Sequence, residues 1–312
     1  MPTRKSPRKG SLQFWPRKRA SKLLPRVNWD AIAGKKSLKG FILYKVGMAS
    51  AHIKDKTLNS MTKDKKIAIP VTILACPPVK ILSVRFYKNG QVSNEVLSNN
   101  LDKELKRRFR LPKKTGKKLD EIKDYDDLRV IIYSQPDKLG VKKSPDISEI
   151  GLEGSLEDKL KFAKEHFGKE ISVSEAFDSG NLTDVRGLTK GKGLQGPVKR
   201  FGITLKAHKS EKGRRRPGSL APWHPARVTF KTPMAGQLGM FTRITYNNKI
   251  VSIVKSGENA IKNIKNFGDV KTDYLIVSGS VQGPAKRALL ATASLRPTKK
   301  QLKENFEFLE LV

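Results

Sequence analysis

Between Arg186 and Arg243, fourteen lysines and arginines stand against a single acid, Glu211. Self-repulsion on that scale opposes compaction, so the stretch requires a counter-charge from outside, and a polyanion is the simplest supply. Within it lie Thr189-Lys190-Gly191-Lys192-Gly193, Lys212-Gly213-Arg214-Arg215-Arg216-Pro217-Gly218 and Trp223-His224-Pro225. Cations neutralise phosphate, glycines let the backbone come close to a bulky partner, and flat rings stack on unpaired bases. These properties describe a loop that grips nucleic acid.

The formal charge of the 312 residues is +35, and it is not spread evenly. Between Glu95 and Asp184 there are 19 acids and 18 bases, which leaves 46 lysines and arginines against 10 acids elsewhere. That shift marks an inserted segment whose surface does not hold a polyanion. Hydrophobic residues make up 37%, enough for packed cores together with segments outside them. One cysteine, Cys76, excludes an intrachain disulfide and a clustered thiolate metal site, which fits a reducing compartment. The strongest apolar run, Ile67 to Cys76, is short and contains Pro70, so no membrane span is expected. The amino terminus lacks the apolar region of a secretion signal. It shares the basic, acid-free composition of a transit peptide, but Pro2, Pro7, Pro16 and Pro25 break the amphipathic helix such a signal needs. A soluble, cytoplasmic protein is expected.

Residues 1–26 carry nine lysines and arginines and no acid, with Phe14-Trp15 set among them. Such a segment cannot fold alone, and the paired aromatics point to an arm that orders on nucleic acid. Phe41–Met48, Ile67–Ala75 and Val79–Tyr87 read as strands, with a turn at Asn89-Gly90. In the insert, Leu128–Tyr133 reads as a strand. Ser155 and Asp158 make a capping signal for a helix whose Leu156, Leu160, Ala163 and Phe167 share a face and which Gly168 stops. Further strands are expected at Ala226–Thr232, at Phe241–Val254 with a hairpin turn at Asn247-Asn248, at Asp273–Val281 and at Leu289–Leu295, with a short helix in Lys299–Val312. Strands on both sides of the insert need one another to close a sheet, which predicts one β-barrel split by the insertion. The expected organisation is a basic arm at 1–40, a first part of the barrel at 41–90 and a mixed α/β subdomain at 91–184. The second part of the barrel follows at 185–298, with the basic extension 190–243, and then a tail at 299–312.

Other chemistries fail on spacing. Gly191-Lys192-Gly193-Leu194-Gln195-Gly196 matches a dinucleotide fingerprint in letters, but no apolar strand precedes it and only Glu211 stands near the position of an acidic ribose partner. Nor does Gly-Lys-Ser or Gly-Lys-Thr close it as a P-loop. His52, His166, His208 and His224 are too scattered for a zinc site, so no metal and no cofactor are expected. Pro217-Gly218-Ser219-Leu220 lacks the second glycine of a serine elbow, and Asp124-Tyr125-Asp126-Asp127 reads as a solvated turn or helix start. A core position for Trp223, framed by Pro222 and Pro225 below three arginines, is hard to build. A stiff tip that packs on bases or on ordered backbone fits better.

In order along the chain, Thr189–Arg200, Arg216-Pro217-Gly218-Ser219-Leu220, Trp223-His224-Pro225-Ala226-Arg227-Val228 and Ala235-Gly236-Gln237-Leu238-Gly239 resemble the signature of the large-subunit ribosomal protein three family. Gly10-Ser11-Leu12 and Pro16-Arg17-Lys18-Arg19 are similar to its amino-terminal arm. Trp223-His224-Pro225 and the mixed insert resemble the archaeal and eukaryotic branch. The lack of a long carboxy-terminal extension of the eukaryotic kind points to an archaeal source. The resemblance implies a mainly β fold with an α+β insertion, a translation-protein-type β-barrel with long basic extensions. It also implies large-subunit rRNA and neighbouring ribosomal proteins as partners, a part in early subunit assembly, no catalysis, and an extension that reaches towards the peptidyl-transferase centre. The rRNA contacts expected are Arg8, Lys9, Trp15, Arg17, Lys18, Arg19, Lys190, Lys192, Lys199, Arg200, His208, Lys212, Arg214, Arg215, Arg216, Trp223, His224, Arg227 and Arg243, with Trp223 and His224 at the tip. An RNA-modifying enzyme or a free-standing RNA chaperone would share the basic surface, but nothing in the residues favours either.

Overall fold

A computed structural model describes residues 7–112, 116, 119–122, 124–257 and 261–312; the first six residues of the expected arm and parts of the expected insert lie outside them. Two compact units emerge, one from residues 7–22 with Leu188–Thr242, the other from the described residues of Leu23–Gly187 with Arg243–Val312. The elements are β1 (Gly40–Asp55), β2 (Lys66–Ala75), β3 (Val79–Lys88), β4 (Gln91–Leu97), β5 (Asp127–Ser134), β6 (Ile147–Gly151), α1 (Leu156–His166), β7 (Glu170–Ile171), β8 (Leu182–Leu188), β9 (Leu194–Gln195), α2 (Pro197–Phe201), β10 (Gly236–Gln237), β11 (Thr242–Val254), β12 (Tyr274–Ser278), β13 (Ala288–Ala293), α3 (Lys299–Lys303) and β14 (Phe306–Leu311). The chain is mainly β, as its sequence predicts.

In the larger unit, one sheet runs β13-β8-β11-β12-β2-β1-β14, and β1 also pairs with β13, so six of its strands form a ring of pairings with β14 outside it. β1 makes this possible by its length. Its first residues, Gly40–Tyr44, pair with β13, its later ones pair with β2, and Ala51–Asp55 take β14 on the other edge. The burial pattern follows the pairing. Gly40 to Val46 is buried throughout and then alternates, as expected where a doubly covered strand becomes a half-exposed one.

A second sheet runs β4-β3-β5-β6, with β7 on β3. Here the sequence boundary needs correction. β3 belongs to this sheet, so the change of sheet falls at Cys76-Pro77-Pro78, ahead of the charge boundary near residue 95. Surface charge and strand partnership are set independently. Pairing follows inward residues such as Val79, Ile81, Val84 and Phe86, which carry no charge, while most of the acids lie outside the core, Asp146 and Asp184 being among the buried exceptions. Asn89 and Gly90, both at positive φ, make the expected hairpin turn between β3 and β4. The acids Asp124, Asp126 and Asp127 bind the Lys88 ammonium, the Asn89 amide and the Lys159 and Arg129 side chains, which is turn chemistry.

The two sheets are joined by an indole. Trp29 is 3% exposed, and it lies against Gly40 of β1 and Gly151 of β6. A Cβ at Gly151 would stand 2.7 Å from Trp29 Cβ, and one at Gly40 would stand 3.0 Å from Cη2. The main chain continues the junction, with Lys39 N–H donating to Gly151 O at 3.1 Å and Glu153 N–H to Ser37 O at 2.9 Å. A buried polar link stands nearby. The Tyr44 hydroxyl donates to Asp146 Oδ2 at 2.6 Å and lies 2.7 Å from Ser134 Oγ, while Arg108 and Lys142 balance the carboxylate. Burial, then Asp146, pushes the Tyr44 phenol well up from its ordinary value. Leu24, Trp29, Ile32 and Leu38 therefore belong to the core, and the arm stops short of residue 40.

α1 begins with the expected capping box. Asp158 N–H donates to Ser155 Oγ and Ser155 N–H donates to Asp158 Oδ2, each at 3.2 Å. Its buried face centres on Phe162 and Ala163, and Leu156 is exposed. Asn247-Asn248 is not a hairpin turn, because β11 runs through it. Asn247 takes a left-handed φ that points its N–H at the buried Asp184 carboxylate, 2.9 Å away, and Leu295 N–H donates to the other oxygen at 3.0 Å. Residues 226–232 form turns and bends. The tail holds α3 as expected and also β14, which pairs with β1. Gly151→Ala should lower stability by about 1–3 kcal/mol by overpacking Trp29, read as a fall in Tm with the β signal in circular dichroism retained.

Candidate nucleic-acid interface

The smaller unit starts from a backbone zipper. Leu194–Gln195 pairs with Gly236–Gln237, Lys192 N–H donates to Leu238 O and Leu238 N–H to Gly193 O, both at 2.9 Å, and Thr189 N–H donates to Phe241 O at 3.0 Å. Gly239, at φ +80°, is indispensable here, since a Cβ would lie 2.0 Å from Lys190 O. The two ends of the basic stretch are thus fastened side by side. Pro197 opens α2 at a position where its missing N–H costs nothing, and Gly202, left-handed, closes it.

Arg200, on α2, is a clamp. Its Nε donates to Gln237 O and Nη1 to Met234 O, both at 3.0 Å, and Nη2 donates to Arg17 O at 3.1 Å. A planar guanidinium presents its donors as a rigid fork, which here reaches three carbonyls from two segments, the arm at Arg17 and the stretch Met234–Gln237. Gly236 leaves room for it, as a Cβ there would stand 2.8 Å from Nη1. Burial holds the Arg200 pKa below its ordinary value. The arm returns the contact: Arg17 donates through Nη1 to Arg200 O at 2.6 Å and lies 4.4 Å over the Phe201 ring. Trp15 stacks on Phe201 at 5.5 Å, and Phe230 meets its edge at 6.1 Å.

Four of the expected contact residues also have structural partners within the chain. Trp15, Arg17 and Arg200 are half-buried in a knot that ties arm to extension, and Arg243 is half-buried in the larger unit, where its carbonyl accepts Gln282 Nε2 at 3.2 Å. The physical reason is that a few aromatics among cations supply a small core, and guanidinium groups seal it by bonding main-chain carbonyls. The other expected residues face outward. Arg8, Lys9, Lys18, Arg19, Lys190, Lys192, Lys199, His208, Lys212, Arg214, Arg215, Arg216, His224 and Arg227 are exposed, and Trp223 is 88% exposed. Arg214 also donates to Lys206 O at 3.3 Å, and the Arg8 guanidinium reaches Lys231 O. Lys22, Lys209 and Lys231 join this surface from the same runs, and the sequence reading passed over them. Phe201, Phe230 and Gly239 were missed too. The signal for Phe201 was a lone aromatic immediately after Lys199-Arg200.

What this arrangement can do follows from its charges. Glu211 is the sole acid in the unit, so cations that elsewhere would pair internally face water. Leu194, within the dinucleotide-like letters, is 78% exposed on a two-residue antiparallel pairing, which is not the buried parallel strand and turn of a dinucleotide fingerprint. Among the described residues, no cluster of His, Cys, Asp or Glu could hold a metal ion, and no helix is long and apolar enough to cross a membrane.

A mainly β core with an acid-poor, cation-covered extension is suited to a structural protein that holds a polyanion. The sequence model of the family Ribosomal protein L3 matches residues 1–310, and the chain belongs to that family, which is structural and non-enzymatic. Among curated relatives, the large ribosomal subunit protein uL3 of Archaeoglobus fulgidus is 42% identical over 308 residues, covering 94% of this chain and 93% of its own. Those of Methanocaldococcus jannaschii and Picrophilus torridus are 37% and 38% identical, over 95% and 94% of this chain and 93% and 92% of theirs. These archaeal relatives are large-subunit components, which lie in the cytoplasm. Arg200→Met should leave the β signal of the larger unit intact and expose 188–242 to limited proteolysis. Each orphaned carbonyl costs about 1–3 kcal/mol, and Arg200→Lys should rescue poorly because an ammonium cannot span the three acceptors.

Proposed function

We propose that this chain is a structural constituent of the large ribosomal subunit that binds large-subunit rRNA through the smaller unit and supports early subunit assembly. The observation that carries this is the exposed cation array around Trp223, with one acid in the whole unit. Releasing condensed counterions from RNA would supply most of the affinity. The Arg200 knot would lower the ordering cost by holding arm and zipper together before RNA arrives. Beyond the zipper, residues 203–233 would thread between RNA helices and carry Trp223 and His224 towards the peptidyl-transferase centre. In this reading the six-strand ring is the translation-protein-type β-barrel, and neighbouring large-subunit proteins are its other partners.

The test is binding of the full chain to large-subunit rRNA across a salt series. Replacing Arg214, Arg215 and Arg216 together by alanine should flatten the log–log dependence by roughly two to three units, at about 0.7–0.9 per phosphate. An unchanged slope would remove these residues from the interface. Trp223→Ala should keep the Tm of the isolated chain and the yield of subunits while impairing tRNA or factor handling. Ultraviolet crosslinking in cells should place large-subunit rRNA on the peptide around Trp223, whereas messenger or transfer RNA there would favour a chaperone.

A further inference from the structure

The loop between β1 and β2 holds two large apolar side chains in water on a rigid frame. Leu58 is 80% exposed and Met61 96%. Beneath them Asp55 is buried and accepts Thr57 N–H at 2.9 Å and the hydroxyls of Ser60 and Thr62, each at 2.6 Å. Those hydroxyls hold its carboxyl well below the usual range. The tail locks the loop from the other side, with Lys56 N–H donating to Asn305 O at 2.8 Å and Asn305 N–H to Thr57 Oγ1 at 3.0 Å. A loop so bonded presents its apolar tips without an ordering cost on contact.

Beside it runs β14, which pairs only with β1 and leaves its other edge open among the described residues, with Leu309 exposed on it. The charge of this end differs from that of the smaller unit. Residues 48–66 and 304–312 together hold five lysines and five acids. The pairs Lys56–Glu307 and Lys66–Glu310, both 2.8 Å, join two of the lysines to two of the acids, and His52 Nδ1 lies 2.8 Å from Glu310 Oε1, so charge is balanced around the loop. A surface without net cation gains nothing from counterion release, so RNA is a poor occupant. Apolar knobs inside an ion-paired rim, next to an open strand edge, suit a protein that adds a strand.

We infer that the β1–β2 loop and the open edge of β14 form a docking surface for a neighbouring large-subunit protein, which lays an extended segment along β14 and receives Leu58 and Met61 in an apolar socket. This rests on the ribosomal reading above and names a partner surface separate from the cation array. The experiment places a photo-crosslinking phenylalanine analogue at position 58, 61 or 309 of the full chain, and at 223 as a control, in cells that assemble subunits. Adducts from 61 and 309 with one large-subunit protein, identified by mass spectrometry, are expected, with rRNA adducts at 223. Leu58→Ser combined with Met61→Ser should leave the Tm of the isolated chain unchanged and reduce the protein adduct from 309 by about ten-fold. Adducts at 61 and 309 that are rRNA or a second copy of this chain would overturn the docking proposal, as would none in subunits that still give rRNA at 223. Loss of the rRNA adduct at 223 with the protein adduct kept at 61 would instead strike the rRNA reading and leave the docking surface standing.

Discussion

Like charges cannot share a small volume without a counter-charge, and this chain has more than twice as many cations as anions. Its structure answers by sorting them. In the larger unit most acids have a lysine or arginine within reach, as in Lys80–Asp102, Arg85–Glu149 and Lys159–Asp127, so strands and loops can pack closely. In the smaller unit there is almost nothing to pair with, and Arg8, Arg17, Arg200 and Arg214 turn to main-chain carbonyls instead, Arg17 and Arg200 also to an aromatic face. The remaining cations are left facing water, and an RNA backbone can complete that balance.

Elements governed by local pattern were legible. Val79–Tyr87 alternates and is a strand, Ser155 with Asp158 caps a helix, and Asn89-Gly90 turns a hairpin, since each depends on residues within a few positions. What escaped depends on partners far apart in sequence. Trp29 sits in a basic region that reads as an arm, and only Gly40 and Gly151, one residue without a side chain from each sheet, reveal that an indole belongs there. Asn247 has the chemistry of a turn, but Asp184, sixty-three positions away, uses its left-handed amide to steady a continuous strand. β14 was unreadable because its residues alternate weakly and its only partner among the described residues is β1.

The candidate interface was legible in outline, and its internal scaffold was not. Composition located the stretch and identified Trp223 as exposed, because a tryptophan between prolines with no apolar neighbours has no core to enter. Composition could not separate cations that meet solvent from those that build the scaffold. Arg200 and Arg215 look alike in sequence, yet one is half-buried and bonds three carbonyls and the other lies open to solvent. Geometry alone distinguishes a guanidinium used as a fastener from one kept as a charge.

The zipper at Gly239 and Lys190 sets a modular boundary. Both ends of the extension leave through a gap so narrow that no side chain fits at Gly239, and the fastening uses main-chain groups whose bonding is indifferent to what lies further out. Changes of length between residues 203 and 229 leave those main-chain bonds in place. The reach of the tip is in this respect an adjustable length, decoupled from the register of its root.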